Sequence, residues 1–272
     1  MQVSAVVLTF NEEINIGRCL TSLAWCDDVV VIDSGSTDRT IAICAEHGVR
    51  VVQNPFVNFA EQRNFALETV ALRHEWILHI DADEEVTPAF RAALAALTPP
   101  RGIFGYRAPS RTLLFGQWLK RSGMYPSYQV RIGHRAQCTF RQHGHGQRET
   151  LPPDQIGLFD VPYDHHAFSH GLVKWFIKHV GYARAEADQI LHAAPSPDQR
   201  PAADATSRRR ALKQAANHMP PALRPLARFA YLAFWRRGLL DGPAGLCYCL
   251  MSTAYETMIA VFLMEARIKG RP

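Results

Sequence analysis

The run Asp81-Ala82-Asp83-Glu84-Glu85 follows directly on the apolar stretch Trp76-Ile77-Leu78-His79-Ile80. A strand ending in alternating carboxylates sets Asp81 and Asp83 on the same side of an extended backbone. It does so at the carboxyl edge of a sheet, where open α/β folds bind their ligands. Hard oxygen ligands in that place suit a divalent cation that holds a diphosphate. The competing reading is a solvated turn before a helix, because Thr87-Pro88 has the residue types of a helix start. The cluster alone does not choose between the two.

The elements that must position these carboxylates are legible on either side. An apolar strand from Val3 to Leu8 ends at Thr9-Phe10-Asn11-Glu12-Glu13, and another from Val29 to Ile32 ends at Asp33-Ser34-Gly35-Ser36-Thr37-Asp38. Helical patterns follow, from Ile14 to Leu23 and from Thr37 to His47, with Ser36 or Thr37 as the cap of the second. A short strand from Arg50 to Gln53, a helix near Ala60 to Arg73 and the strand at Trp76 come next. Strands alternating with helices predict a parallel, right-handed α/β sheet covered on both faces. In such a sheet Asp33, Asp81 and Asp83 converge on one crevice although they are distant in sequence.

Four ordered blocks carry a resemblance. Val7-Leu8-Thr9-Phe10-Asn11-Glu12-Glu13, Val31-Ile32-Asp33-Ser34-Gly35-Ser36-Thr37-Asp38-Arg39-Thr40, Asn58-Phe59-Ala60-Glu61-Gln62-Arg63-Asn64-Phe65-Ala66 and His79-Ile80-Asp81-Ala82-Asp83-Glu84 together resemble family-two glycosyltransferases. They stand close to the branch of lipopolysaccharide-core β-1,4-glucosyltransferases. The resemblance implies an A-type glycosyltransferase fold, a mostly parallel sheet covered by helices, with a carboxyl-terminal helical appendage. It implies a nucleotide-diphospho-sugar donor, UDP-hexose favoured, lying across the strand ends. Thr9, Asn11 and Glu12 would then line the base and ribose pocket, Asp33 would bond the base, Asp81 would sit by the ribose, and Asp83 would hold Mg²⁺ or Mn²⁺. Many relatives have two consecutive acids where this chain has Asp33-Ser34, so the base contact rests on Asp33. Arg63 either adds charge opposite the diphosphate or is a surface residue of its helix.

When a sugar leaves a nucleoside diphosphate, negative charge grows on the departing phosphate, and a bound cation stabilises it as a Lewis acid. The acceptor hydroxyl needs a base on the opposite face of the sugar. By resemblance that base is Glu149, in His143-Gly144-His145-Gly146-Gln147-Arg148-Glu149; the alternative is a surface carboxylate paired with Arg148. Direct in-line attack inverts the anomeric centre. The segments 111–120 and 123–131 mix glycines, aromatics and cations in a way that suits an acceptor-facing loop, with Trp118, Tyr125 and Arg131 as contacts, although packing would equally explain Trp118 and Tyr125. His165 or His166 is a further candidate for phosphate or acceptor, His166 being assigned to the acceptor.

Other chemistries fit poorly. His166 and His170 lack the intervening Glu of a zinc protease. The six cysteines form no Cys-x-x-Cys pair and suit a reducing compartment. No Gly-x-Gly-x-x-Gly follows the first strand, and Glu85 stands where a haloacid-dehalogenase phosphatase would have Thr or Val. A net charge of +5 could point to nucleic acid, yet no aromatic platform or recognition motif supports that. The non-enzyme alternative is a catalytically silent sugar-nucleotide-binding protein or scaffold at the membrane.

Beyond residue 170 the pattern becomes helical, which divides the chain into a catalytic domain, 1–170, and a helical region, 171–272. Trp175, Lys178, His179 and Tyr182 lie on a first long helix, and a Pro/Ala/Asp-rich linker runs from Ala194 to Ala205. Arg208, Arg209, Arg210, Lys213, Arg224, Arg228, Arg236 and Arg237 then alternate with Phe229, Tyr231, Leu232, Phe234 and Trp235. Basic-aromatic helices fit an anionic membrane surface or a lipid-phosphate acceptor. The stretch from Ala244 to Met264 is long enough to cross a bilayer, but Ser252, Thr253, Tyr255, Glu256 and Thr257 make spanning costly. A monotopic helix or an oligomer contact is expected there, with packing on the protein's own surface as the alternative. No signal peptide is expected ahead of Val3. These features predict a cytoplasmic enzyme, peripheral at the cytoplasmic face of the inner membrane, acting on a lipid-linked or lipopolysaccharide acceptor.

Overall fold

The computed structural model describes residues 1–143, 146–192 and 219–270. The apolar runs of the amino-terminal half become β1 (Ser4–Thr9), β2 (Val29–Asp33), β3 (Arg50–Gln53) and β4 (Trp76–Asp81), separated by α1 (Ile16–Ser22), α2 (Thr40–Glu46) and α3 (Phe59–Thr69). Their order across the sheet is β3-β2-β1-β4, all parallel. Register aligns the polar ends in one row: Thr9 pairs with Asp33, and Leu8 with Asp81.

Alternation along β1 explains why both faces of the sheet are covered. Ala5 and Val7 join Ile16, Leu20 and Phe90 on one side, whereas Val6 and Leu8 join Ala60, Leu67 and Phe140 on the other. Helix starts differ from expectation in one case. Neither Ser36 nor Thr37 caps α2, whose N-cap is Arg39 without a side-chain bond. Both residues are held in the preceding loop, as described below. By contrast, Thr87 does cap α4 (Pro88–Ala96), accepting the Phe90 N–H.

Past β4 the sheet is no longer parallel. β5 (Glu84–Glu85), β6 (Gly105–Leu114), β7 (Gln117–Trp118), β8 (Ser127–His134), β9 (Phe140–His143), β10 (Gly146–Glu149), β11 (Ile156–Leu158) and β12 (Tyr163–His165) follow in sequence. The sheet continues β4-β8-β6-β12-β5, with β8 antiparallel to both β4 and β6, β12 parallel to β6, and β5 antiparallel to β12. The expectation of a parallel sheet therefore holds only for the amino-terminal half. Its physical reason is connection length: the links from β6 to β8 carry no crossover helix, and short links favour antiparallel neighbours. β9 and β10 form a hairpin of their own.

Contacts divide the chain into one compact unit of residues 1–118 and 125–169 and a second of residues 119–124 and 170–272. In the second, α5 (Gly171–Leu191) packs on α7 (Gly242–Ile268), with Ala183 and Ala187 against Ile259 and Leu263. The α6 helix (Arg224–Ala230) leads into a π-helical turn at Tyr231–Trp235 and a 3₁₀ turn at Gly238–Asp241. The short segment 119–124 belongs here because the buried Asp241 carboxylate accepts the N–H groups of Arg121 and Ser122, both at 2.8 Å, and the Ser122 hydroxyl. The linker from Ala194 to Ala205, Arg208 to Arg210 and Lys213 lie outside the described residues.

Candidate active site

Two loops at the strand ends are sewn together by hydrogen bonds of their own. After β1 the chain turns through Asn11 in the left-handed region (φ 54°), a conformation that Asn tolerates better than most residues. The Asn11 N–H donates to Ser36 Oγ and its Oδ1 accepts the Thr37 N–H, both at 2.8 Å. The Glu12 N–H donates to Thr40 Oγ1, and the Glu12 carboxylate accepts from Asn15 at 2.6 Å. Thr9 is buried at the strand end, with its Oγ1 free of partners among the described residues.

Asp33 holds the turn that follows β2. Its fully buried Oδ2 accepts the N–H groups of Gly35 and Ser36 at 2.9 Å each, and Oδ1 accepts the Ser36 hydroxyl. A strand-end Asp followed by Ser-Gly-Ser satisfies its own turn first, and Gly35 supplies the positive φ of 92° that this turn needs. The carboxylate expected to bond the base thus also shapes the loop.

The centre of the site is a charge-balanced cluster. Asp81 lies between two guanidiniums, Arg63 Nη2 at 2.7 Å from Oδ1 and Arg131 Nη2 at 3.1 Å from Oδ2. Arg131 also donates to Glu84 Oε1 and, through Nε, to the Tyr163 hydroxyl at 2.9 Å. The second Glu84 oxygen accepts the Asp81 N–H at 2.9 Å. Both arginines are buried, at 1% and 2% exposure, whereas Asp81 keeps 31%. Burial pushes the Asp81 carboxyl upward, but the Arg63 and Arg131 charges overcome this and hold it well below the usual carboxylate range. Glu84 is pushed up to about 7 by burial, with the Asp81 and Asp83 charges adding to it against the pull of Arg131.

Two predicted roles change here. Arg131 was expected to face the acceptor and Arg63 was open to a surface role; each is instead a buried counter-ion of the carboxylates. α3 lays Arg63 against the Phe140 ring (5.8 Å), and β8 lays Arg131 against Tyr163 (5.2 Å). No local pattern could have revealed this, because the partners come from elements far apart in the chain.

Beside the cluster, Asp83 and His165 approach to 3.3 Å and stay accessible, at 28% and 32%. Burial would lower the His165 pKa, but Asp83 raises it to about 9, and in return His165 outweighs burial to hold Asp83 below its ordinary value. His166 turns the other way, with its Nε2 3.0 Å from Glu85. The register of β12 on β5 sets His165 opposite Glu84, and the His166 N–H donates to Asp83 O at 2.8 Å, yet it is the His165 ring that reaches the Asp83 carboxylate, which the sequence could not say. The His166 ring is therefore placed on Glu85.

As it stands the Asp83–His165 contact is an ion pair; Mg²⁺ or Mn²⁺ would be held by the Asp83 oxygen, and by His165 Nε2 once the ion had displaced its ring proton, with phosphate and water completing the shell. Among the described residues no group of three His, Cys, Asp or Glu ligands is assembled. Any ion here would depend on the ligand's oxygens.

Trp118 and Tyr125 pack edge to face at 5.0 Å, and the Arg111 guanidinium lies 5.6 Å from the Trp118 ring while its Nε donates to Asp164. Glu149 ends β10 opposite Phe140, whose ring contacts His79 at 4.9 Å. Among the described residues no hydrogen bond or ion pair joins Glu149 to Arg148, Asp81 or Asp83. It is thus brought to the flank of the cluster through Phe140, not into contact with it.

A parallel half-sheet gathering acidic strand ends, continued by a mixed half that supplies Arg131 and His165, is the sheet of an A-type glycosyltransferase. Residues 4–156, more than half of the chain, match the family model described as glycosyl transferase family 2, and the chain belongs to that family. It is 27% identical over 203 residues to the lipopolysaccharide core biosynthesis glycosyltransferase LpsC of Rhizobium meliloti, covering 72% of this chain and 74% of the relative. An uncharacterized glycosyltransferase of Rickettsia bellii is 41% identical over 87 residues, 32% of this chain and 29% of that protein. Among solved structures, glucosyl-3-phosphoglycerate synthase from Mycobacterium tuberculosis, in complex with Mn²⁺, UDP-glucose and glycerol 3-phosphate, is 19% identical. That match covers 61% of this chain and 72% of the synthase, with a TM-score of 0.45.

Proposed function

We propose that this family 2 glycosyltransferase is an inverting, metal-dependent hexosyltransferase that draws on a UDP-sugar and glycosylates a lipid-linked or lipopolysaccharide acceptor at the cytoplasmic face of the inner membrane. The observation that carries the reading is the accessible Asp83–His165 pair beside an Asp81 held ionised by two buried arginines. The similarity to a lipopolysaccharide core enzyme supports the acceptor class. On this reading residues 1–170 perform catalysis and residues 171–272 serve the membrane side.

Asp83 and His165 would hold Mg²⁺ or Mn²⁺, which supplies Lewis-acid stabilisation of the departing diphosphate. Arg63 and Arg131 keep Asp81 charged and fixed in direction, ready to accept a ribose hydroxyl without reorganising. Thr9, Asn11 and Glu12 line the adjoining wall for base and ribose. Trp118 and Tyr125 offer apolar faces to an acceptor sugar. Glu149 takes the proton of the acceptor hydroxyl as that oxygen bonds to the anomeric carbon; the bond to the phosphate oxygen breaks with its electron pair, and the configuration inverts.

Calorimetric titration with UDP, GDP and CDP, each with and without Mn²⁺, tests the proposal. UDP is expected to bind, and only with the metal. Absence of binding by all three under both conditions would sink the transferase reading in favour of a catalytically silent scaffold.

A further inference from the structure

Between α6 and α7 the backbone leaves ordinary helical winding twice. Tyr231–Trp235 is π-helical, and Arg237 enters the left-handed region at φ 56° before the 3₁₀ turn. Single π-turns recur at functional positions, and a non-glycine residue at positive φ persists only where its surroundings hold it. Here they do. Leu232 and Ala233 are buried with Cys249, the Arg236 N–H donates to Tyr231 O at 2.8 Å, and Gly238 sits so close that an added Cβ would lie 2.7 Å from Leu232 O.

What this geometry presents outward is apolar. Phe234 and Trp235 are 65% and 81% exposed, followed by the exposed Leu239 and Leu240 and preceded by the exposed Leu226. Residues 219–240 contain four arginines and no Asp or Glu. Arg224 is buried against Glu256 and Arg236 Nε donates to Arg121 O at 3.3 Å, whereas Arg228 is half-buried and Arg237 exposed.

We propose that Phe234, Trp235, Leu239 and Leu240 form a wedge that inserts among the headgroups of an anionic bilayer, with Arg228 and Arg237 set against lipid phosphates. Charge complementarity selects this occupant. A second copy docking residues 219–240 on their own counterparts would bring arginines against arginines with no carboxylate in that segment to answer them, whereas an anionic headgroup layer answers them and accepts Trp at its apolar boundary. The proposal deepens the membrane-side function given above. It rests on that reading for its purpose, but its measurement does not depend on donor chemistry.

The test is flotation of the full chain with vesicles of equal parts phosphatidylcholine and phosphatidylglycerol, against phosphatidylcholine alone. Binding is expected on the anionic vesicles, weakened roughly tenfold or more by Phe234→Ser with Trp235→Ser, as loss of the apolar contact demands. Brominated lipid should quench tryptophan fluorescence in the native chain, and Trp235→Phe should remove that quenching while vesicle binding persists. Unchanged flotation of the double variant, or undiminished quenching in Trp235→Phe, would overturn the wedge. So would an absence of vesicle binding together with a concentration-dependent dimer that the double variant abolishes. Titration of the same double variant with UDP and Mn²⁺ reports the donor site separately, so a failed donor assay and a failed wedge remain distinguishable.

Discussion

Asp81 has burial working against its charge and two buried guanidiniums working for it, and the arginines win. Replacing Arg63 by Met should therefore remove a charge from a buried pair, at about 3–5 kcal/mol of stability by chemical denaturation. A loss below about 1 kcal/mol would mean that Arg131 alone suffices. For catalysis, Asp83→Ala should abolish metal-dependent turnover. Glu149→Gln should keep donor affinity while kcat falls by about a hundredfold or more, the scale of a lost general base. Donor binding lost along with transfer in Glu149→Gln would argue against its role as base. The acids of this site were legible because they stand together in sequence. Their cations were not, since Arg63 and Arg131 arrive on α3 and β8 and nothing local marks either as buried.

At the level of elements, the other end of the sheet depends on one carboxylate. Asp28 accepts from Ser4 Oγ on β1, from Arg50 on β3 at 2.7 Å and from the Arg73 N–H at 2.7 Å, tying three segments together. Burial pushes its pKa up, but the Arg73 N–H, Ser4 and Arg50 outweigh it, and the folded value lies below the unfolded one. Its contribution is thus present above the unfolded pKa of about 3.9 and is lost as pH falls through the folded value. Asp28→Asn should cost about 2 kcal/mol near neutrality, and its deficit against the native chain should shrink on acidification. Equal deficits at pH 7 and at pH 3 would contradict this account. The parallel strands and their helices of the amino-terminal half were readable from alternation, whereas the mixed half was not, because pairing among β6, β8 and β12 is a choice among distant partners.

For the whole chain, the question is what α7 does with its length. The helical stretch Gly238–Ile268 is apolar and long enough to cross a membrane, with a third of its most apolar window buried inside the protein. Its polar middle is answered from within its own unit. The Tyr255 hydroxyl donates to Glu186 at 3.0 Å, and Glu256 accepts from the buried Arg224, also at 3.0 Å. Moving these groups into lipid would cost about 3 kcal/mol per charge at the bilayer centre. Alkaline carbonate should accordingly release the protein from isolated membranes, and its retention in the pellet would show that α7 spans.

The sequence by itself determined the alternation of strands and helices in the amino-terminal half and the row of polar strand ends, since each is a local periodicity that folding carries through unchanged. Only the tertiary structure decided that the His165 ring rather than that of His166 meets the Asp83 carboxylate, and that two arginines are buried beneath Asp81. Those outcomes turn on register between remote strands and on which charges lose their water, and neither quantity exists until the chain has folded.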